Sequence, residues 1–301
     1  MRAFGWFMLL LAVAVAAVAL FTYPAWLLLH PHFDFPFHRI GERLGMLALL
    51  LGFVLLARRL GLADRASLGY GLPRRAFLRE LGVGLALGVA TMAGVVVLMG
   101  LLGLIERAPG ADSGAAALAR LLLRCAMSGL AVALIEETFL RGAMYSAIER
   151  ESGVRTAVLL TALLYAATHF FGKVRIAPEQ VTPYSGIALI AGTLRSFAQP
   201  LLIRDAFLAL FAVGVVLALV RSATGNIAAC LGLHAGWVWV MLVAHELTRP
   251  DPAAPLGFLL SRFDGFVGWL VLAWTLLLSV PLWRYYQRRS AAPPVSSAAA
   301  G

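Results

Sequence analysis

The chain is short of the residues that make a water-soluble surface. Only 13% of its 301 residues are charged, against about 25% in an ordinary soluble domain. Lysine is nearly absent: Lys173 stands beside 24 arginines. The two cysteines, Cys125 and Cys230, exclude a disulfide framework and a cysteine zinc cluster. Both lie in apolar runs, where a buried, reduced thiol is the default. What fills the composition instead is hydrophobic, 61% of the residues, and that excludes a globule in water. A net charge of +10 would suggest nucleic acid in a soluble protein. Here the arginines mostly end apolar segments, where they orient a chain in a bilayer, so the lipid bilayer and not nucleic acid is the expected surrounding.

A hydrocarbon core about 30 Å thick takes roughly 20 apolar residues per helix. Runs of that kind, bracketed by charge, predict an all-α polytopic membrane protein of about eight transmembrane helices, near 4–29, 44–57, 81–104, 118–141, 156–171, 203–220, 227–245 and 266–283. The first ends in Tyr23, Pro24 and Trp26, not in a small-residue cleavage site, and reads as a retained membrane helix. Alternation of eight spans puts both termini on one side with 58–80, 142–155 and 221–226. That side collects fourteen Lys and Arg, the other ten. The positive-inside bias therefore predicts cytoplasmic termini in a multi-pass protein of the cell membrane.

No internal period and no linker divides the chain, so a single membrane domain over 1–301 is expected, with a small, Pro-interrupted tail at 290–301 expected to be disordered. Gly84 and Gly88 form a small-xxx-small pair whose use is close helix packing. The segment from His30 to His38 interleaves histidine with aromatics and reads as an interfacial belt. His245-Glu246 lacks the second histidine of a zincin motif and reads as a helix end. The stretch 187–199 is too short to span and is read as a re-entrant segment or a lid.

An ionisable residue near the centre of a membrane helix costs about 2.5–3.5 kcal/mol on the insertion scale, so the informative positions are those where the chain accepts that cost. They are Glu136, Glu137, Arg141, His169 and His234. Glu137 and Arg141 are four residues apart and share a helix face, whereas Glu136 points about 100° away and needs a partner from elsewhere. His169 is that candidate. With a turn at Glu151-Ser152-Gly153, Glu136 lies 17 residues before Gly153 and His169 16 after it. In an antiparallel hairpin both then sit about 25 Å from the turn. A carboxylate and an imidazole at one depth can share a proton or polarise a water. His234 lies only about nine residues, roughly 14 Å, from its own turn near Gly225, and the depths do not match.

Glu-Glu-x-x-x-Arg at 136–141, aromatic-x-x-x-His at 165–169 and His-Ala-Gly-Trp at 234–237, in that order on successive spans, resemble the CPBP family. These are the CAAX proteases and bacteriocin-processing (Abi) enzymes, which include the type II CAAX prenyl endopeptidase. The likeness covers about 118–245, and Leu68-Gly-Tyr-Gly-Leu72 looks more weakly like the region upstream of the family core. The resemblance implies an intramembrane endopeptidase. Glu136 and His169 would activate a water, His234 would help hold the oxyanion, and Glu137 and Arg141 would support the site. Tyr165 stands where the family often has Phe. Val238 stands where its His-x-x-x-Asn pattern supplies a second polar group.

Glu136, His169 and His234 would also supply the three protein ligands of a catalytic divalent metal such as zinc. The same residues suffice for a metal-free, glutamate-dependent hydrolysis, and the sequence leaves both open. The expected partner is a peptide or protein terminus presented at the membrane. The alternative is a catalytically altered family member acting as a membrane immunity factor or chaperone. A proton-coupled carrier would want paired inverted repeats, which the sequence lacks.

Overall fold

A computed structural model describes residues 2–110, 114–171 and 174–291. Nine α-helices run through the described residues: α1 (Arg2–Leu29), α2 (Phe37–Ala57), α3 (Arg74–Leu101), α4 (Ala115–Glu137), α5 (Tyr145–Thr168), α6 (Ser185–Ala198), α7 (Pro200–Thr224), α8 (Ala228–Leu247) and α9 (Trp269–Ala291). Proline starts several of them, as expected of a residue that lacks an N–H and has a helical φ. Pro36 and Pro73 directly precede α2 and α3, and Pro200 opens α7. A π-helical turn, Thr138–Met144, joins α4 to α5.

Among the described residues six helices are long and apolar enough to cross a membrane, which makes the chain an all-α polytopic membrane protein. The count differs from eight for two reasons. The fourth and fifth expected spans form one run, Ala115–Thr168, interrupted only by Gly153 at φ 82° and ψ 168°, a conformation open essentially to glycine alone. The eighth, α9, carries three tryptophans, Pro281, Arg284 and a Tyr pair and falls short of the apolarity of the others. Helix α9 also reaches Ala291, so the tail expected at 290–301 begins as helix, and the remainder lies outside the described residues.

Gly153 does reverse the chain. Arg141, twelve residues before it, lies with its guanidinium 4.8 Å from the ring centre of Tyr165, twelve residues after it. The ladder of equal distances from the turn therefore holds at that level. Segments that alternation puts on one side also meet. The Glu151 carboxylate accepts bonds from the Arg2 and Ala3 amides, Arg150 donates to the carbonyls of Leu60 and Gly61, and Arg289 pairs with Glu80.

Helix α8 is the axis of the bundle, packed between α3 and α4 at backbone contact. A Cβ at Gly84 would lie 2.5 Å from the Ala229 carbonyl oxygen, one at Gly236 2.7 Å from that of Leu85, and one at Gly129 of α4 2.9 Å from that of Ala235. Gly84 and Gly88 thus serve the close approach their spacing predicts. Leu231, Leu233 and Ala235 on α8 are buried to 2% exposure or less.

The α7–α8 turn is sunk into the protein. Gly225 closes α7 in the left-handed conformation at φ 67°. The amide of Ile227 donates to the Gly69 carbonyl in the loop before α3 at 3.1 Å, and the Asn226 side chain accepts from the Ala228 amide at 3.0 Å, opening α8. Two short strands, β1 (Ile105–Arg107) and β2 (Thr248–Pro250), pair antiparallel beyond the ends of α3 and α8. The segment read as re-entrant or lid is α6, a 14-residue helix against α1 and α7. Helix α8 ends two residues after His245, as expected.

Candidate active site

The site forms where α4 gives way to the π-helical turn. A π turn takes an extra residue per hydrogen-bonded ring and is common at functional sites. Here it begins directly after Glu136 and Glu137 and contains Arg141. Glu137 and Arg141 are both 0% exposed, and Arg141 Nη1 donates to Glu137 Oε1 at 3.0 Å. Arg141 Nη2 donates to the Gly214 carbonyl of α7 at 3.0 Å. This is the intrahelical pair that the four-residue spacing predicts.

His234 arrives from α8 on the same carboxylate. Its Nδ1 lies 2.8 Å from Glu137 Oε1. A carboxylate can only accept, so the proton of that bond sits on Nδ1 and Nε2 faces the other way. There it meets Glu136 Oε2 at 3.9 Å. A chain of Arg141, Glu137, His234 and Glu136 results, with every member but Glu136 buried. Glu136, at 33% side-chain exposure, is the one that opens outward.

The depth mismatch expected for His234 is removed by the sunken turn. Arg221, near the end of α7, donates from Nε to the Arg141 carbonyl at 3.1 Å and from Nη2 to Ser146 at 3.1 Å. The end of α7 is therefore level with the π turn, well below Gly153. Glu136 and His234 share a depth if the two turns differ in height by roughly 10 Å, the difference between 25 and 14 Å at 1.5 Å per residue. Arg221 was counted among the bracketing charges; it is buried at 6% exposure and caps the π turn. An arginine one turn inside the end of an apolar run is the only signal the sequence offers for that role.

His169 caps the end of α5. Its Nδ1 lies 2.7 Å from the Tyr165 carbonyl, which fixes the proton on Nδ1 and leaves Nε2 unprotonated in the neutral ring. Its ring is tilted on that of Tyr165 at 4.4 Å, and the same Tyr165 ring meets His234 edge-on at 5.8 Å. Tyr165 is thus the shared wall between the two histidines. Above the site, the Tyr70 hydroxyl pairs with Thr138 at 2.5 Å. Burial pushes that phenol above its usual range, the hydrogen bond with Thr138 opposing.

One side chain that could have donated into the site points elsewhere. Trp237 Nε1 donates to Thr91 Oγ1 on α3 at 2.9 Å. Val238, one turn beyond His234, has no polar atom. Glu136 Oε2, Glu137 Oε2 and Arg141 Nε are buried without a hydrogen-bond partner among the described residues, so the cluster retains unused acceptor capacity. It does not fit a resident metal. Among the described residues no three His, Cys, Asp or Glu side chains gather at ligand spacing.

No curated protein and no solved structure matches the chain. Residues 118–240 match the model of a family described as Rce1-like, "Type II CAAX prenyl endopeptidase Rce1-like". The matched segment runs from α4 to the middle of α8 and contains all five residues singled out by their cost in a membrane. Through residues 118–240 the chain is similar to the CAAX protease family, a family of proteases.

Proposed function

We propose that the chain is an intramembrane endopeptidase that hydrolyses a peptide bond of a peptide or protein terminus presented at the bilayer, with Glu136 as the base. The observation that carries this reading is the 3.9 Å approach of Glu136 Oε2 to His234 Nε2. A water within hydrogen-bond reach of both, about 2.8 Å from each, would bridge the two groups.

Glu136 takes the proton of the water as its oxygen attacks the scissile carbonyl, then returns it to the leaving amine. His169, at the matching depth on the other arm of the hairpin, orients the water. Glu137 holds the His234 ring as the carboxylate of a triad holds its histidine. A proton on His234 Nε2 makes an imidazolium flanked by two carboxylates. With Arg141, the four groups then sum to zero charge, as buried charges require, and the Nε2–H is a donor for the oxyanion. The chain acts as one membrane domain in the cell membrane with both termini in the cytoplasm, by the arginine bias.

The test is cleavage of two fluorogenic peptides by purified protein. One ends in a farnesylated Cys-aliphatic-aliphatic-X motif; the other is anchored by an acyl chain. Glu136→Gln and His169→Ala should each lower kcat by about 10²–10⁴ with the fold intact. Equal cleavage by wild type and both variants would refute the assignment. Wild type inert on both probes would favour the immunity-factor or chaperone alternative.

A further inference from the structure

Attack on an amide leaves a full negative charge on the former carbonyl oxygen, and preorganised donors aimed at that charge supply much of the catalysis in a buried site. On the mechanism proposed above, His234 Nε2 gives one donor. Most other candidates are spent. Arg141 uses Nη1 on Glu137 and Nη2 on Gly214, and at 0% exposure its Nε faces only protein. His169 Nδ1 is used by the Tyr165 carbonyl, and Trp237 Nε1 by Thr91. The Thr138 hydroxyl, shared with Tyr70, donates to the Leu134 carbonyl, and Val238 has nothing to give.

Tyr165 is different. Its ring centre lies 4.4 Å from that of His169, 5.8 Å from that of His234 and 4.8 Å from the Arg141 guanidinium. It is in contact with three members of the cluster, from the opposite arm of the Gly153 hairpin. Its carbonyl is engaged by His169, but its hydroxyl makes no hydrogen bond with another described residue. The residue is 3% exposed. A phenol normally finds a partner, and a hydroxyl without one among the described residues, on a ring packed against two histidines, is an uncommitted donor.

We propose that the Tyr165 hydroxyl is a catalytic residue that donates a second hydrogen bond to the oxyanion beside His234. This rests on the hydrolytic reading of the site and adds a group to it. In the step, the C–O bond to water forms as the carbonyl π pair moves onto oxygen, and the water proton passes to Glu136. Tyr165 keeps its own proton throughout. On collapse the pair re-forms the carbonyl, the C–N bond breaks, and the amine takes the proton from Glu136.

Tyr165→Phe removes only the hydroxyl and leaves the ring contacts. With the farnesylated peptide, kcat should fall on the order of 10²-fold, as when one oxyanion donor is lost, with KM within about twofold and thermal stability in detergent kept. Val238→Asn added to Tyr165→Phe should recover part of that loss, because position 238 shares the His234 face one turn along. Unchanged kcat in Tyr165→Phe overturns the proposal, as does a rise in KM alone. A fall in kcat that comes with a lowered melting temperature and that Val238→Asn leaves untouched makes Tyr165 a packing residue and also overturns it. Glu136→Gln separates the two levels. If it is inactive while Tyr165→Phe is fully active, only the role of Tyr165 fails; if Glu136→Gln is active, the hydrolytic reading itself fails.

Discussion

Gly129→Ala tests whether backbone contact between α4 and α8 sets the geometry of the site. A Cβ there would meet the Ala235 carbonyl oxygen at 2.9 Å and the Trp239 amide nitrogen at 3.0 Å, where ordinary contact begins at 3.4 Å. Both obstacles are backbone, so neither can swing aside, and the helices must part by about 0.5 Å in an interior packed this closely. Ala235 follows His234, and Glu137 lies two turns along α4 from Gly129. The 2.8 Å bond between His234 and Glu137 would stretch towards ~3.3 Å, beyond the favourable range. If a misplacement of about 1 Å costs about 100-fold, half of it costs about tenfold in kcat/KM. Stability should suffer less, because overpacking costs about 1–3 kcal/mol and alanine returns up to about 1 kcal/mol of helix propensity. Peptide cleavage and thermal unfolding in the same detergent measure both quantities. Gly82→Ala, where a Cβ meets nothing within 4 Å, is the control and should leave activity unchanged. Wild-type kcat/KM in Gly129→Ala would refute the reasoning.

Two further outcomes are expected. Glu137→Gln should destabilise the fold by about 3–5 kcal/mol, because it leaves Arg141 charged and unpaired at 0% exposure, and Glu137→Leu with Arg141→Met should recover much of that loss while activity stays lost; thermal unfolding of the single and double variants checks the non-additivity. A green fluorescent protein fused after Gly301 should fluoresce and an alkaline phosphatase in the same place should be inactive, the pattern of a cytoplasmic end; the reverse pattern overturns the arginine-based orientation.

The hairpin around Gly153 was legible because it needed only local information. Both arms are helical, glycine is the sole residue between them that suits a reversal, and counting from it gives depth. Glu137 with Arg141 was legible for the same reason, since their four-residue spacing still brings the side chains together where the helix widens. The π turn itself was not, because Thr138 and Gly142, the weak α-helix formers of Thr138–Met144, do not by themselves specify a π turn. The place of His234 could not be counted at all, since the height of the turn at Gly225 depends on Gly69, more than 150 residues earlier. Arg221 was misjudged by position in sequence, its charge lying at a helix end that turned out to be inside the protein. The β1–β2 pair, three residues a side, is too short to leave a pattern.

The sunken α7–α8 turn also bears on how much chain the site needs. Its cover is supplied by Gly69, and the Leu68 carbonyl lies 2.8 Å from where a Cβ of Gly142 would be, so the loop before α3 closes over both the turn and the π helix. Helix α3 then lines α8 through Gly84 and Gly88. Leu68, Gly69, Gly84 and Gly88 all fall outside 118–240, the stretch that the family model matches. A polypeptide trimmed to that stretch would keep every ionisable group of the site yet leave the start of α8 with an open flank and an amide, that of Ile227, without its acceptor. The stretch similar to the family is shorter than the stretch whose packing holds α8 in place.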